Sequence, residues 1–319
     1  TGGDQLFPAM RQAIARAHHD VWLATYIFHD DAAARAMADA LIEAARRGVR
    51  VRVVLDGFGS KASLPTLRRW FEGSGVALAV FRPIDRWYAW LQPGQLRRLH
   101  QKLLACDAEW ACVGGINVID DRNDLNHGIT PEPRLDFAVA LRGPIVAPVA
   151  QTARAMWTRA AFGRDWRDEV IALAKSAEPI ARARSLMQRL RVSADPEAAG
   201  DAAPMLAAFL VRDNLRQRRA IERSYIDALS RARERIDLVS PYFYPGRLFR
   251  RVLRDAARRG VRVRLLLQGK LDYRFAGLAA SVLYDELLSR GVQIFEYTPA
   301  FLHAKIALAD NTGATVGSS

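Results

Sequence analysis

The stretch AARRGVRVRVVLDG at residues 44–57 recurs almost unchanged as AARRGVRVRLLLQG at residues 256–269. In each copy, apolar residues with helical spacing lead to a glycine, Gly48 or Gly260, and a Val/Leu-rich run follows. A glycine after the last turn is typical of a helix C-terminus, and the apolar run is typical of a buried strand. A repeat of this length predicts a duplicated domain.

The two copies also agree on either side of this stretch. Strand-like apolar runs precede it at 21–28 and 236–243, and another pair follows at 75–81 and 291–297. Alternating strands and helices predict an α/β fold. We therefore expect two domains related by a pseudo-twofold axis, each a mostly buried mixed β-sheet flanked by helices. The expected boundaries are 1–164 for the first domain, 165–204 for a linker and helical connector, and 205–319 for the second domain.

The composition restricts the classes of partner. A net charge of +13 over 319 residues favours a polyanion, which is either nucleic acid or an anionic membrane surface. No apolar run is long enough to predict a membrane span. The two cysteines, Cys106 and Cys112, are too few for a disulfide scaffold or a zinc site and are expected to be buried thiols.

The first copy carries an insertion within residues 82–98, where Trp87, Tyr88, Trp90 and Leu91 lie among arginines. One interpretation is a loop packed over its own domain. The other is a contact with a bilayer, because aromatic and arginine side chains suit the headgroup region.

The repeated stretches LHQKLLACD (99–107) and LHAKIALAD (302–310) share the pattern H-x-K-x4-D. Residues two apart in a strand point to the same face, so each histidine should lie beside its lysine. The pairs are His100 with Lys102 and His303 with Lys305. If the domains pack about the pseudo-twofold axis, both pairs meet in one cleft.

Two imidazoles and two ammonium groups suit chemistry at a phosphate. Histidine acts as nucleophile or proton carrier near neutral pH, and lysine stabilises phosphate charge. Glycines after each motif let the main chain approach a phosphate, where amides or hydroxyls act as donors: these positions are Gly114, Gly115, Gly317 and Ser318. Asp107 and Asp310 are expected to hold turns. No metal-ligand set is recognisable, so neither a metal nor another cofactor is expected.

The paired motifs resemble the phospholipase D superfamily, whose hallmark continues with G-[GS]-x-N. Gly114 to Asn117 matches that continuation, which adds Asn117 to the expected phosphate-binding residues. Gly317-Ser318-Ser319 stops one residue short of the asparagine, so we expect a chain cut within the second motif. Longer stretches resemble bacterial cardiolipin synthases of the type without N-terminal membrane helices: LDGFGS (55–60), DFAVALRGPIV (136–146), YFYPG (242–246) and LYDELLSRGVQIFEY (283–297).

The resemblance implies transfer of a phosphatidyl group from phosphatidylglycerol to a second glycerophospholipid through a phosphohistidine, with release of glycerol. It assigns His100 as nucleophile, His303 as acid and base, and Asp136 as the residue that orients His100. The acid that orients His303 is expected beyond residue 319. Tyr242 and Phe243 are expected to pack into the second core.

The resemblance also implies an anionic phospholipid partner and a peripheral position on the cytoplasmic side of the bacterial inner membrane. A hydrolytic phospholipase D and an endonuclease of the same superfamily remain alternatives, so nucleic acid is a less favoured partner. The oligomeric state stays open.

Overall fold

The computed structural model describes residues 1–83, 98–162, 205–211, 220–269 and 284–317. The aromatic insertion with Trp87, Tyr88, Trp90 and Leu91, the connector 165–204 and Ser318 lie outside these residues. Within the described part of the chain, no helix combines the length and apolarity that a membrane crossing requires.

The chain forms two compact units, which we name by position. The N-terminal unit comprises residues 3–120 and 139–207, and the C-terminal unit comprises residues 1–2, 121–138 and 208–319. Each unit contains one mixed β-sheet with helices packed on it, so the α/β fold expected from the repeat is confirmed. Residues 121–138 belong to the C-terminal unit although they precede the connector, while the domain boundaries drawn from the sequence stay a prediction.

The N-terminal unit is built around a six-stranded sheet. Its helices are α1 (Gly2–Arg16), α2 (Ala32–Arg46), α3 (Leu64–Phe71) and α4 (Val146–Phe162). Its strands are β1 (Asp20–Thr25), β2 (Arg50–Asp56), β3 (Ala77–Phe81), β4 (Leu103–Cys106), β5 (Trp110–Gly114) and β8 (Ala138–Arg142). The strand order is β3-β2-β1-β4-β5-β8, with β1, β2 and β3 parallel and β4 antiparallel to β1 and β5.

The C-terminal unit repeats this arrangement with five strands. Its helices are α5 (Ala220–Arg231) and α6 (Arg247–Arg258), and its sheet strands are β9 (Arg235–Ser240), β10 (Arg262–Gln268), β11 (Gln293–Tyr297), β12 (Ile306–Ala309) and β13 (Gly313–Val316). The order β11-β10-β9-β12-β13 and its pattern of parallel and antiparallel pairs match those of the first sheet. A short hairpin of β6 (Asn123–Asp124) and β7 (Gly128–Ile129) also belongs to this unit.

The repeated stretch folds as its pattern predicts. Helices α2 and α6 end just before Gly48 and Gly260, whose φ angles of 89° and 88° are accessible mainly to glycine. The strands that follow, β2 and β10, are central in their sheets and bury Val53, Leu55 and Leu265 completely or almost so. Central position and parallel neighbours explain why the later part of each strand is a continuous Val/Leu run.

Cys106 and Cys112 are buried free thiols, as expected from the sequence. Burial raises the pKa of both, to about 12 for Cys112.

Candidate active site

In the N-terminal unit, His100 and Lys102 lie side by side in the segment that enters β4. The ammonium Nζ of Lys102 is 3.4 Å from the imidazole Nδ1 of His100 and donates to the carbonyl of His100 at 2.9 Å. Lys102 is only 5% exposed, so its charge is held in a largely desolvated position. A cation held there beside an imidazole is suited to a phosphate group.

Both histidine–lysine pairs precede their strands, so the prediction that they lie within a strand is wrong. Strand β4 begins at Leu103 and β12 begins at Ile306, one residue after each lysine. Before each histidine, the N–H of Leu99 or Leu302 donates to a side-chain oxygen and not to the main chain of a sheet strand. The histidine and lysine still approach each other because the lysine folds back onto the histidine carbonyl.

The ring of Tyr26 lies against His100, a contact that sequence analysis missed. The ring centroids are 5.2 Å apart with an interplanar angle of 43°, and Lys102 Nζ is 5.4 Å from the tyrosine ring centroid. Burial, and then the charge of Asp56, raise the pKa of Tyr26, so the neutral phenol is favoured. Tyr26 directly follows β1, where a side chain at the strand end signals a site residue.

In the C-terminal unit, His303 is held by a carboxylate. Its Nδ1 is 2.7 Å from Oδ2 of Asp136, which is 2% exposed. The main chain before Asp136 is also fixed here, since the carbonyl of Leu135 accepts from the N–H groups of His303 and Ala304. A short, charge-assisted contact with a buried carboxylate orients an imidazole through Nδ1, so that proton transfer falls to Nε2.

The contact corrects the predicted role of Asp136. Sequence analysis paired Asp136 with His100 and placed the acid for His303 beyond residue 319, whereas Asp136 binds His303. The prediction assumed that each acid serves the histidine of its own repeat. Residues 121–138 instead pack in the C-terminal unit, which brings Asp136 to the later histidine.

Lys305 repeats the position of Lys102. Its Nζ donates to the carbonyl of His303 at 2.9 Å and lies 3.5 Å from Nε2 of the same histidine. Burial lowers the pKa of Lys305, and the charge of Asp136 opposes that shift. The cationic lysine is therefore costly to bury, which favours an anionic group beside it.

Asp107 and Asp310 make the contacts of turn-holding residues. Asp107 accepts from the N–H groups of His18, His19 and Asp20 at 2.7–2.9 Å. Asp310 accepts in the same manner from the main chain of residues 233–235. Both carboxylates thus tie the end of a site strand to the start of the first strand of its sheet.

The expected phosphate donors are partly used within the fold. The N–H groups of Gly114 and Gly317 donate to the carbonyls of Lys102 and Lys305, so these two amides are engaged in strand pairing. The Oδ1 of Asn117 accepts from the N–H of Ile27 at 3.1 Å. The described geometry therefore leaves Gly115 and the amide nitrogen of Asn117 as candidate donors in the first motif.

An exposed aromatic and cationic surface follows β9 in the C-terminal unit. Tyr242, Tyr244 and Leu248 are 55%, 54% and 53% exposed, so the prediction that Tyr242 packs into the core is wrong. Phe243 does pack against the core, as predicted, and its ring lies against that of Phe249.

Comparison with known proteins agrees with this geometry. The sequence model of the family described as cardiolipin synthase, PLD-like domain, matches residues 10–130 and 225–319. The chain is 34% identical to cardiolipin synthase B of Escherichia coli K12 over 317 residues, which cover 99% of this chain and 70% of that protein. It is 29% identical to cardiolipin synthase A of Pseudomonas fluorescens Pf-5 over 318 residues, covering 99% of this chain and 60% of that protein.

Among solved structures, the chain is similar to phosphatidylserine synthase of Haemophilus influenzae. The TM-score is 0.60 at 11% identity, with 97% of this chain and 74% of that chain covered. This similarity concerns the fold alone.

Proposed function

We propose that this chain, which belongs to the cardiolipin synthase family with a phospholipase D-like domain, transfers a phosphatidyl group from phosphatidylglycerol to a second phosphatidylglycerol. The observation that carries the proposal is that each of two like sheets presents a His–Lys pair at the same place, with His303 held by buried Asp136. A site of this kind could act on several phosphodiesters, and the sequence identity with cardiolipin synthase B favours phosphatidylglycerol.

In the first half-reaction, His100 attacks the phosphorus of phosphatidylglycerol. A nitrogen–phosphorus bond forms, the bond from phosphorus to the glycerol oxygen breaks, and His303 gives its Nε2 proton to the departing oxygen. The two lysines stabilise the negative charge that grows on the phosphate oxygens.

In the second half-reaction, His303 takes a proton from the hydroxyl of the accepting lipid. That oxygen attacks the phosphohistidine, the nitrogen–phosphorus bond breaks, and His100 is restored. The carboxylate of Asp136 stabilises the imidazolium form of His303, which is present before the first step and again after the second. One phosphodiester replaces another, so the proposed reaction needs no nucleotide or metal.

We place the bilayer contact on the surface formed by Tyr242, Tyr244, Arg247, Leu248 and Arg251. All five are exposed, and tyrosine, leucine and arginine together suit the headgroup layer. In the register of the sheet, Ile306 pairs with Val239, so His303 and residue 242 emerge at the same end. The net charge of +13 favours an anionic leaflet, and each basic residue near it contributes about 1 kcal/mol. We propose a peripheral position on the cytoplasmic face of the bacterial inner membrane.

The activity test uses the full chain with vesicles of headgroup-labelled phosphatidylglycerol, chelator and no nucleotide, with products identified by mass spectrometry. We expect cardiolipin and free glycerol from the wild type, and neither from His100→Ala or His303→Ala. His127→Ala is the matched control, because His127 also pairs with an aspartate of the C-terminal unit but belongs to neither motif. Phosphatidic acid alone would indicate a hydrolase, and cleavage of labelled DNA without lipid products would indicate a nuclease.

The membrane test measures co-sedimentation with phosphatidylglycerol vesicles. Replacing Tyr242, Tyr244 and Leu248 together with serine should weaken binding at least about tenfold, since three partly buried apolar contacts are lost. The control replaces Leu288 and Phe295, which are similarly exposed elsewhere in the unit, with serine. Equal loss of binding in both variants would contradict the assigned surface.

A further inference from the structure

A buried side chain binds the main chain directly before His100. Asp56 is the last residue of β2 and has no exposed surface. Its Oδ2 accepts from the N–H of Leu99 at 2.7 Å. Leu99 is itself buried, so this contact fixes the backbone from which the imidazole of His100 projects.

The second copy repeats the contact with a different side chain. Gln268 is the last residue of β10 and stands where Asp56 stands in the repeated stretch. Its Oε1 accepts from the N–H of Leu302, also at 2.7 Å, and Leu302 directly precedes His303. Two independent copies thus use a side-chain oxygen from the same strand end to hold the residue before a motif histidine.

Asp56 also holds the loop that packs against Tyr26, whose ring lies beside His100. Its Oδ1 accepts from the N–H groups of Phe58 and Gly59, which closes the loop after β2. A side chain at Gly59 would meet the carbonyl of Tyr26, since a Cβ there would lie 2.4 Å from that oxygen. The loop is therefore packed directly under Tyr26, whose ring contacts His100.

The two copies differ in charge at this position. Both oxygens of Asp56 accept N–H groups, so the ionised carboxylate fits the site. Burial raises the pKa of Asp56, and the N–H groups of Leu99, Phe58 and Gly59 oppose that shift. Gln268 is neutral. In the second copy the negative charge is supplied by Asp136, which contacts His303 directly.

We propose that Asp56 and Gln268 are matched positioning residues for the two histidines, and that the first copy needs the negative charge whereas the second needs only a neutral acceptor. This inference rests on the proposed function, because phosphatidyl transfer is the activity by which the two roles are measured. Neither side chain touches the reacting atoms. Each acts through the backbone of the residue before the histidine, and Asp56 also acts through its field.

The first arm of the test compares Asp56→Asn with the wild type in the vesicle assay. The amide keeps the size of the side chain but removes the charge and cannot accept at both ends. We expect kcat to fall about 10- to 100-fold with little change in KM, as for a misplaced catalytic group. We also expect the acidic limb of the pH profile to move to lower pH, because loss of a nearby anion favours neutral imidazole.

The second arm separates acceptor from charge at Gln268. Gln268→Glu keeps the acceptor and should leave kcat within about threefold, whereas Gln268→Met removes it and should lower kcat about tenfold or more. The opposite ranking of these two variants would overturn the proposal.

A purely structural role for Asp56 is tested with Asp31→Asn. Asp31 likewise bridges two main-chain N–H groups of the N-terminal unit, those of Ala34 and Asp120. Both Asp variants should lower Tm, but only Asp56→Asn should move the pH profile. An unmoved pH profile in Asp56→Asn would overturn the proposal. The product made by the wild type tests the proposed function separately. If that product is phosphatidic acid or cleaved DNA, the variants are compared by the rate at which they form it.

Discussion

Replacing Asp136 with asparagine is expected to reduce phosphatidyl transfer strongly while leaving the fold intact. The carboxylate is 2% exposed and accepts from Nδ1 of His303 at 2.7 Å. An amide of the same size fits the space. Its nitrogen, however, donates toward Nδ1 and favours the tautomer with the proton on Nε2, which is the nitrogen needed as a base.

The magnitude follows from the loss of a charge-assisted hydrogen bond between His303 and a buried carboxylate. Such a bond stabilises the imidazolium by several kcal/mol when water is excluded, and the wrong tautomer adds a further cost. A loss of about 3–5 kcal/mol corresponds to a decrease of roughly 10²- to 10⁴-fold in kcat. KM should change little, because the interaction is stronger in the transition state than in the bound substrate.

The assay is cardiolipin formation from phosphatidylglycerol vesicles, with Tm measured in parallel. Asp124→Asn is the matched control, since Asp124 lies 2.9 Å from Nδ1 of His127 in the same unit and outside the motifs. We expect that control to retain kcat within about threefold. An Asp136→Asn protein with the kcat of the control would refute a role for Asp136 in orienting His303.

Three further predictions concern groups outside the reacting centre. Asp107→Ala removes an acceptor of three N–H groups and should lower the free energy of unfolding by about 2 kcal/mol in urea titrations; unchanged stability would contradict the turn role. Because burial raises the pKa of Cys112 to about 12, neither Cys112 nor Cys106 should react with a disulfide reagent until the protein is unfolded; prompt reaction of folded protein would argue against their burial. The hydrogen bond from Arg264 holds the pKa of Asp237 below its ordinary value, so the pair stabilises the fold above the unfolded pKa and loses that contribution as pH falls through the folded pKa. The difference in free energy of unfolding between the wild type and Arg264→Met should therefore become smaller in acid. A difference that does not change with pH would exclude a stabilising role for this ion pair.

Much of the candidate site was predictable because its signals are local. Each motif histidine has its lysine two residues later, and the structure brings the two side chains together in both copies. The error in placing the pairs within strands also has a local origin. The apolar residues that flank each motif favour one continuous strand, whereas the regular strands begin only at Leu103 and Ile306.

The residues that support the histidines were not predictable in the same way. Asp56 and Gln268 look like ordinary residues at strand ends, and their contacts are made with residues 43 and 34 positions away. The position of Tyr26 directly after β1 indicates a site residue, but the local pattern does not show that its partner is His100.

The sequence by itself determined that the chain is a duplicated α/β protein with two His–Lys pairs of the phospholipase D type. Periodicity, glycine-terminated helices and a repeated motif are properties of neighbouring residues, so they can be recognised without knowledge of the packing. Only the tertiary structure decided which acid serves which histidine. Asp136 and His303 are 167 positions apart, and their contact depends on residues 121–138 packing in the C-terminal unit. Long-range packing of that kind is chosen by the burial of whole segments, which no local pattern records.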